Sequence, residues 1–212
     1  MAFVVFMSSF PVSASSGGVI NAGEAASSYV PISIDGNFED WADKPHSQLS
    51  YSWDTNNNYH SGALFRDETY IYLHIRMSPN SYTQFNGNNY IFNVDNMPDF
   101  GVQVETVNYS AIVEGENQLV IRRQSGYKII DSATGYLTRT TGQPDEWELR
   151  IPLETFQGTV KNIRTITFRC SNLGEQTLIA TGTPTLPYLI VAGGLVIAVA
   201  GYQISRRKRK KA

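Results

Sequence analysis

Two short stretches of this chain combine the residue types that recognise neutral, hydroxylated molecules. In the first, Tyr51, Trp53 and Tyr59 flank Asp54-Thr55-Asn56-Asn57-Asn58. In the second, Tyr82 to Tyr90 (YTQFNGNNY) sets aromatic rings among amides without a charge. A flat aromatic face stacks on the C–H surface of a pyranose, and an amide offers hydroxyls both a donor and an acceptor. Trp53, Tyr59 and Asn56, with Tyr82, Asn88 and Tyr90, are therefore the candidate ligand-binding residues. Tyr72, His74 and Arg76, on the polar face of one strand, would form a floor for them. The competing reading is that both stretches are solvated Asn-rich loops with aromatics packed as lids.

Metal and catalytic patterns are weaker. Asp54, Asn56 and Asn58 have the 1-3-5 spacing of a calcium loop. Tyr59 stands where the turn glycine belongs, however, and Phe65 where the twelfth-position glutamate belongs, which removes the EF-hand reading. A looser structural calcium site would draw on Asp54, Asp95 or Asp99. His46, His60 and His74 are dispersed and Cys170 is the lone cysteine, so neither a zinc set nor an intrachain disulfide is indicated. No Gly-x-Ser-x-Gly, His-Glu-x-x-His or phosphate loop occurs. Asp67-Glu68 and Asp145-Glu146 read as solvated acidic turns at strand entrances rather than glycosidase carboxylates. A non-catalytic protein without a cofactor is expected.

The elements that must carry these residues have a period of two. Ile71, Leu73, Ile75 and Met77 share one strand face, and Tyr70, Tyr72, His74 and Arg76 the other. Trp147, Leu149 and Ile151 alternate with Glu146, Glu148 and Arg150; Ile166, Phe168 and Cys170 alternate with Thr165, Thr167 and Arg169. Further strands are expected at 90–95, 101–107, 110–114, 118–123 and 127–130. The turn signals between them are Asn86-Gly87, Glu114-Gly115, Ser125-Gly126 and Thr134-Gly135. The pattern predicts an all-β domain, an antiparallel β-sandwich. Trp41 is expected to plug one end of it, and Cys170 to be an inert core thiol.

The two ends of the chain set its place. Leu186 to Ile204 (LPYLIVAGGLVIAVAGYQI) has no charge, and Arg206 to Lys211 are all basic. A helix of that length spans roughly 28 Å, about one hydrocarbon core. Cations just past it are retained on the cytoplasmic side. Residues 1–28 read as a signal peptide and flexible segment, with candidate cleavage after Ala14, Ala25 or Ala26, although no basic residue precedes Lys44. An exported domain at 29–180 is thus followed by a juxtamembrane linker at 181–185, a single transmembrane helix at 186–204 and a cytoplasmic tail at 205–212. The whole stretch 174–185 is linker-like. Once the six tail cations and Glu24 are set aside, the domain holds 11 basic and 18 acidic residues, a net charge of −7. That acidity argues against nucleic acid or anionic lipid as its main partner.

Three motifs carry a resemblance. Ile34-Asp35-Gly36-Asn37-Phe38-Glu39-Asp40-Trp41, Asp67-Glu68-Thr69-Tyr70-Ile71-Tyr72-Leu73 and Trp147-Glu148-Leu149-Arg150-Ile151-Pro152-Leu153 resemble, in order and spacing, the motifs of family 9-like carbohydrate-binding modules. The resemblance covers nearly the whole domain and implies a jelly-roll-like β-sandwich. It also brings in the wider DOMON-like group, whose members bind sugars or haem. A haem site would take His74 or another histidine with Met77 or Met97 as axial ligands. Met77 and His74 lie on opposite strand faces, so that strand cannot supply both. The segment from Gly182 to Tyr188, with the span and basic run after it, resembles the Firmicu-CTERM sorting segments of Firmicute surface proteins. That implies a Gram-positive surface and a processing protease of the rhomboid type. The leading expectation is a surface-anchored module for a wall polymer or environmental glycan. The alternatives are a scaffold for a surface protein partner and a haem-binding redox protein.

Overall fold

The alternating pattern folds as strands. The computed structural model describes residues 19–21, 31–53, 59–80, 82–95, 97–156 and 163–181. They form β1 (Val19–Asn21), β2 (Ser47–Leu49), β3 (His60–Arg66), β4 (Tyr70–Arg76), β5 (Tyr90–Val94) and β6 (Phe100–Thr106). These are followed by β7 (Gly115–Arg123), β8 (Thr134–Arg139), β9 (Glu146–Pro152), β10 (Thr165–Cys170) and β11 (Thr177–Thr181). Among the described residues, helical structure is confined to single 3₁₀ turns such as Glu39–Trp41. Among the described residues no helix is long and apolar enough to cross a membrane. The expected span at 186–204, the basic tail and nearly all of the signal segment lie outside them.

The strands make one continuous sheet in the order β1-β11-β10-β5-β6-β7-β8-β9-β4-β3-β2. Every neighbouring pair is antiparallel except β1, which runs parallel along β11. Pairing of β4 with β9, from Tyr70↔Pro152 to Arg76↔Glu146, joins the β2–β4 meander to the β5–β9 meander. Pro152 stands at the end of that ladder, where its missing N–H leaves no bond unmade. The sheet then curls until β3 and β11 pack together and it is nearly a barrel. Gly62 permits this approach: a Cβ there would lie 2.9 Å from Leu49 Cδ1 and 3.1 Å from Leu178 Cδ1.

The inward face is the main core. Leu64, Ile71, Leu73, Ile75, Phe92, Val102, Leu137, Trp147, Leu149, Ile151, Ile166 and Leu178 are all without solvent contact. Each such side chain stabilises the fold by about 1.5–3 kcal/mol relative to exposure. A second, smaller core lies on the outside. Trp41, Ala63, Phe65 and Tyr72 pack with Ile32, Ile34 and Phe38, so the segment from residue 31 to Trp41 straps across the outer face of β3 and β4. Trp41 therefore lies against a sheet face rather than plugging an end.

Four local expectations differ from the structure. Residues 110–114 are a loop, because the Asn117 side chain bonds the N–H and C=O of Val113 and the C=O of Gly115, groups a strand would have paired. Residues 127–130 make only one isolated bridge, Arg122↔Ile129. The strand begins at Thr134 instead, and Gly135 is there for close approach rather than a turn: a Cβ would sit 3.1 Å from the Glu148 carbonyl oxygen. Within the linker-like 174–185, Thr177–Thr181 is β11, with Leu178 and Ala180 turned into the core.

Candidate functional site

The two aromatic stretches are far apart in sequence, and the turn between β10 and β11 ties them to one end of the sheet. Ser50 N–H donates to Gln176 Oε1 (2.7 Å), and Glu175 N–H donates to the Ser50 carbonyl (3.0 Å). Tyr51 Oη donates to the Ser171 carbonyl (2.9 Å), and Ser52 Oγ to Glu175 Oε1 (2.9 Å). From the same turn Asn172 Nδ2 reaches Asn86 Oδ1 (3.3 Å) and the Asn88 carbonyl (3.4 Å). Tyr51 and Trp53 stack with centroids 4.9 Å apart and planes at 15°. Burial, with smaller contributions from Cys170, Tyr82 and Glu175, pushes the Tyr51 phenol up, which places Tyr82 in its electrostatic neighbourhood.

The second stretch is held at several points. Phe85 N–H donates to Asp145 Oδ2 (2.7 Å), Tyr90 Oη to the Asn86 carbonyl (2.8 Å), and Val104 N–H to the Gly87 carbonyl (2.9 Å). Asp145 is buried, not a solvated turn residue. Arg139 Nε donates to its Oδ1 (2.8 Å), and its own N–H donates to the Thr83 carbonyl (2.8 Å), so it anchors the loop from within. Held in this way, Trp53 and Tyr82 present their rings to solvent, each 63% exposed, beside exposed Asn88 and Asn89. Tyr59 is also exposed. Asn56 and Asp54 lie outside the described residues.

The expected floor is elsewhere and is covered. Tyr72 and His74 are buried beneath the 31–46 segment, and Tyr90 is buried in the core. Tyr72 Oη donates to Asp67 Oδ2 (2.6 Å), and burial followed by that bond pushes its phenol well up. His74 stacks on Trp41 (5.0 Å, 20°) and contacts His46 Nε2 through Nδ1 (2.9 Å) and Glu146 Oε1 through Nε2 (2.8 Å). His46 Nδ1 meets the Lys44 carbonyl (2.9 Å). Burial, then the electrostatic influence of His74, lowers the His46 pKa. Arg76 alone of the three floor residues is exposed, 3.6 Å from Glu146 through Nε.

Sequence reasoning missed Glu148 altogether. It has no solvent contact. Its Oε1 accepts the N–H groups of Asp35 (2.9 Å) and Gly36 (2.8 Å), and its Oε2 accepts Trp41 Nε1–H (2.7 Å). Gly36 has φ +86° and Asn37 N–H returns to Asp35 Oδ1 (2.9 Å), so the Asp-Gly pair forms the expected turn. The only advance signal was that Asp-Gly, Trp and Glu recur within the resembling motifs. Outside this segment, Pro31, Ser33, Asp35, Asn37, Glu39 and Asp40 line a hollow of about 330 Å³. There Asp35, Asn37 and Asp40 already accept backbone N–H groups of the turn.

The metal candidates have protein partners. Asp95 accepts the N–H groups of Arg164 and Thr165 (2.7–2.9 Å), and Asp99 is ion-paired with Arg169. Among the described residues no three His, Cys, Asp or Glu side chains are grouped to hold a metal. Met77 is buried in the core and Met97 is partly exposed. No protein-family model matches this chain, and neither a curated protein nor a solved structure matches it.

Proposed function

We propose that this protein is a non-catalytic carbohydrate-binding module displayed at a cell surface, with its site formed by Trp53, Tyr82 and the amides of the 86–89 loop. The observation that carries the reading is the convergence of two aromatic–amide stretches on the turn from Ser171 to Gln176. Open rings supply stacking faces, and asparagine side chains supply paired donors and acceptors for hydroxyls. The fold side of this reading is the jelly-roll-like sandwich of family 9-like modules, with a C-terminal transmembrane anchor and a Firmicu-CTERM-type sorting segment open to a rhomboid-type protease. Its ligand is a Gram-positive wall polymer or an environmental glycan.

The test is binding of the purified full chain, in detergent, to a panel of neutral glycans and host wall polysaccharides, with and without calcium. Saturable binding is expected, weakened by about tenfold or more in Trp53→Ala and in Tyr82→Ala, the effect of a contact worth ~1.4 kcal/mol. Binding unchanged in both variants, or capture of a protein partner that excess sugar does not displace, would refute the reading.

A further inference from the structure

The outer face of β6 and β7 carries a second pair of open rings that the first site does not use. Tyr109 is 65% exposed and Tyr127 is 42% exposed. They flank the Arg122 guanidinium, whose carbon lies 5.9 Å and 5.4 Å from the two ring centroids. Beneath the rings is a closed polar set. Arg122 Nε donates to Glu105 Oε2 (3.1 Å), Gln103 Nε2 donates to Glu105 Oε1 (2.9 Å), and the Tyr127 hydroxyl donates to the same oxygen. These side chains point outward because Val102, Val104, Leu119 and Ile121, alternating with them, fill the core.

Two observations say what this face is for. The three most exposed tyrosines among the described residues are Tyr82, Tyr109 and Tyr127, and all three sit in the left-handed region, at φ 52°, 56° and 55°. A bulky side chain rarely adopts that conformation, and such strain persists where the surroundings hold it, above all at binding sites. The second observation is charge. The Arg122–Glu105 pair cancels, so the rings stand over a neutral, hydrogen-bonding base, which suits an uncharged hydroxylated ligand better than an acidic or basic segment.

We infer that the Tyr109–Arg122–Tyr127 face is a second carbohydrate site, so that one chain grips a polymer at two points. The inference takes its ligand class from the reading of the first site and its location from its own rings. The two sites meet at β6: Val104 N–H holds Gly87 of the first, and Glu105, the next residue, is the base of the second. Two modest sites on one sheet gain avidity through effective concentration without any new contact.

The tryptophans make the sites separable. Trp41 and Trp147 are buried while Trp53 is exposed, so a change in tryptophan fluorescence reports the first site alone. The purified full chain is titrated with β-glucan, β-xylan and chitin tetrasaccharides by calorimetry and by fluorescence. The expected result is a calorimetric stoichiometry of about two, falling to about one in the double variant Tyr109→Ala/Tyr127→Ala with the fluorescence response retained. A stoichiometry of one that the double variant leaves unchanged would overturn the second site. One site lost in the double variant but kept in Trp53→Ala would sustain the second site and remove the first. No binding of any tetrasaccharide would overturn both.

Discussion

Glu148 joins the strap to the sheet, and its chemistry is set by burial. Desolvation raises its pKa from 4.5 to about 7, against the lowering effect of the Trp41, Gly36 and Asp35 N–H groups, and the nearby Asp40 carboxylate adds to the rise. His74 on β4 and Tyr136 on β8 face it from the flanking strands. A carboxyl whose folded pKa is raised binds its proton more tightly when folded. Its contribution to stability is therefore complete below pH 4.5 and is lost as the pH rises through about 7. Between pH 5 and 8.5 that loss should be on the order of 2–3 kcal/mol. Urea unfolding of the wild type and Glu148→Gln at both pH values checks this. The variant should be the less stable protein at pH 5, where its amide N–H opposes Trp41 Nε1–H, and the gap should narrow or reverse at pH 8.5. Parallel pH dependences in the two proteins would refute the assignment.

At the scale of elements, the binding loops owe their positions to what they dock against. The 82–89 loop lies against β6 at Gly87, where a Cβ would fall 2.0 Å from the Val104 carbonyl oxygen, a distance no side-chain rearrangement relieves. Gly87→Ala should thus lift the loop from β6 and break the Val104–Gly87 bond. The expected effect is a loss of about 1–3 kcal/mol, the range for a removed buried hydrogen bond, together with weakened glycan binding. Gly115→Ala is the control for binding: a Cβ there meets nothing within 4 Å, so only its positive φ is strained. Equal glycan affinity in the two variants would show that docking on β6 does not position Tyr82.

For the whole molecule, the proposed surface anchoring predicts how the chain is divided by a membrane. Protease added to intact cells should digest the 29–180 domain and leave an epitope on the basic tail protected, as read by blotting. A tail epitope open to antibody from outside would reverse the orientation. With a single cysteine the chain can form no intrachain disulfide. Its one cysteine, Cys170, is buried, and burial pushes its thiol up to about 11, so stability rests on the core and the closing of the curled sheet.

Sequence alone determined the all-β character, the inward faces of β4, β9 and β10, and the two aromatic–amide stretches. Those are local properties: alternation along a strand follows from side chains pointing to opposite faces, whatever the strand's neighbours are. What lies over a face is not local. Tyr72, His74 and Glu148 alternate as polar, outward residues, yet the 31–46 segment covers them, and only the tertiary fold brings Trp41 to Glu148 across 107 residues. Nor does the chain reveal that Asp145 is an internal anchor, that Gly135 serves close approach, or that the turn after β10 draws Trp53 and Tyr82 to one end. Each depends on which strand lies beside which, and that order is set by long-range closure of the sheet rather than by any window of residues.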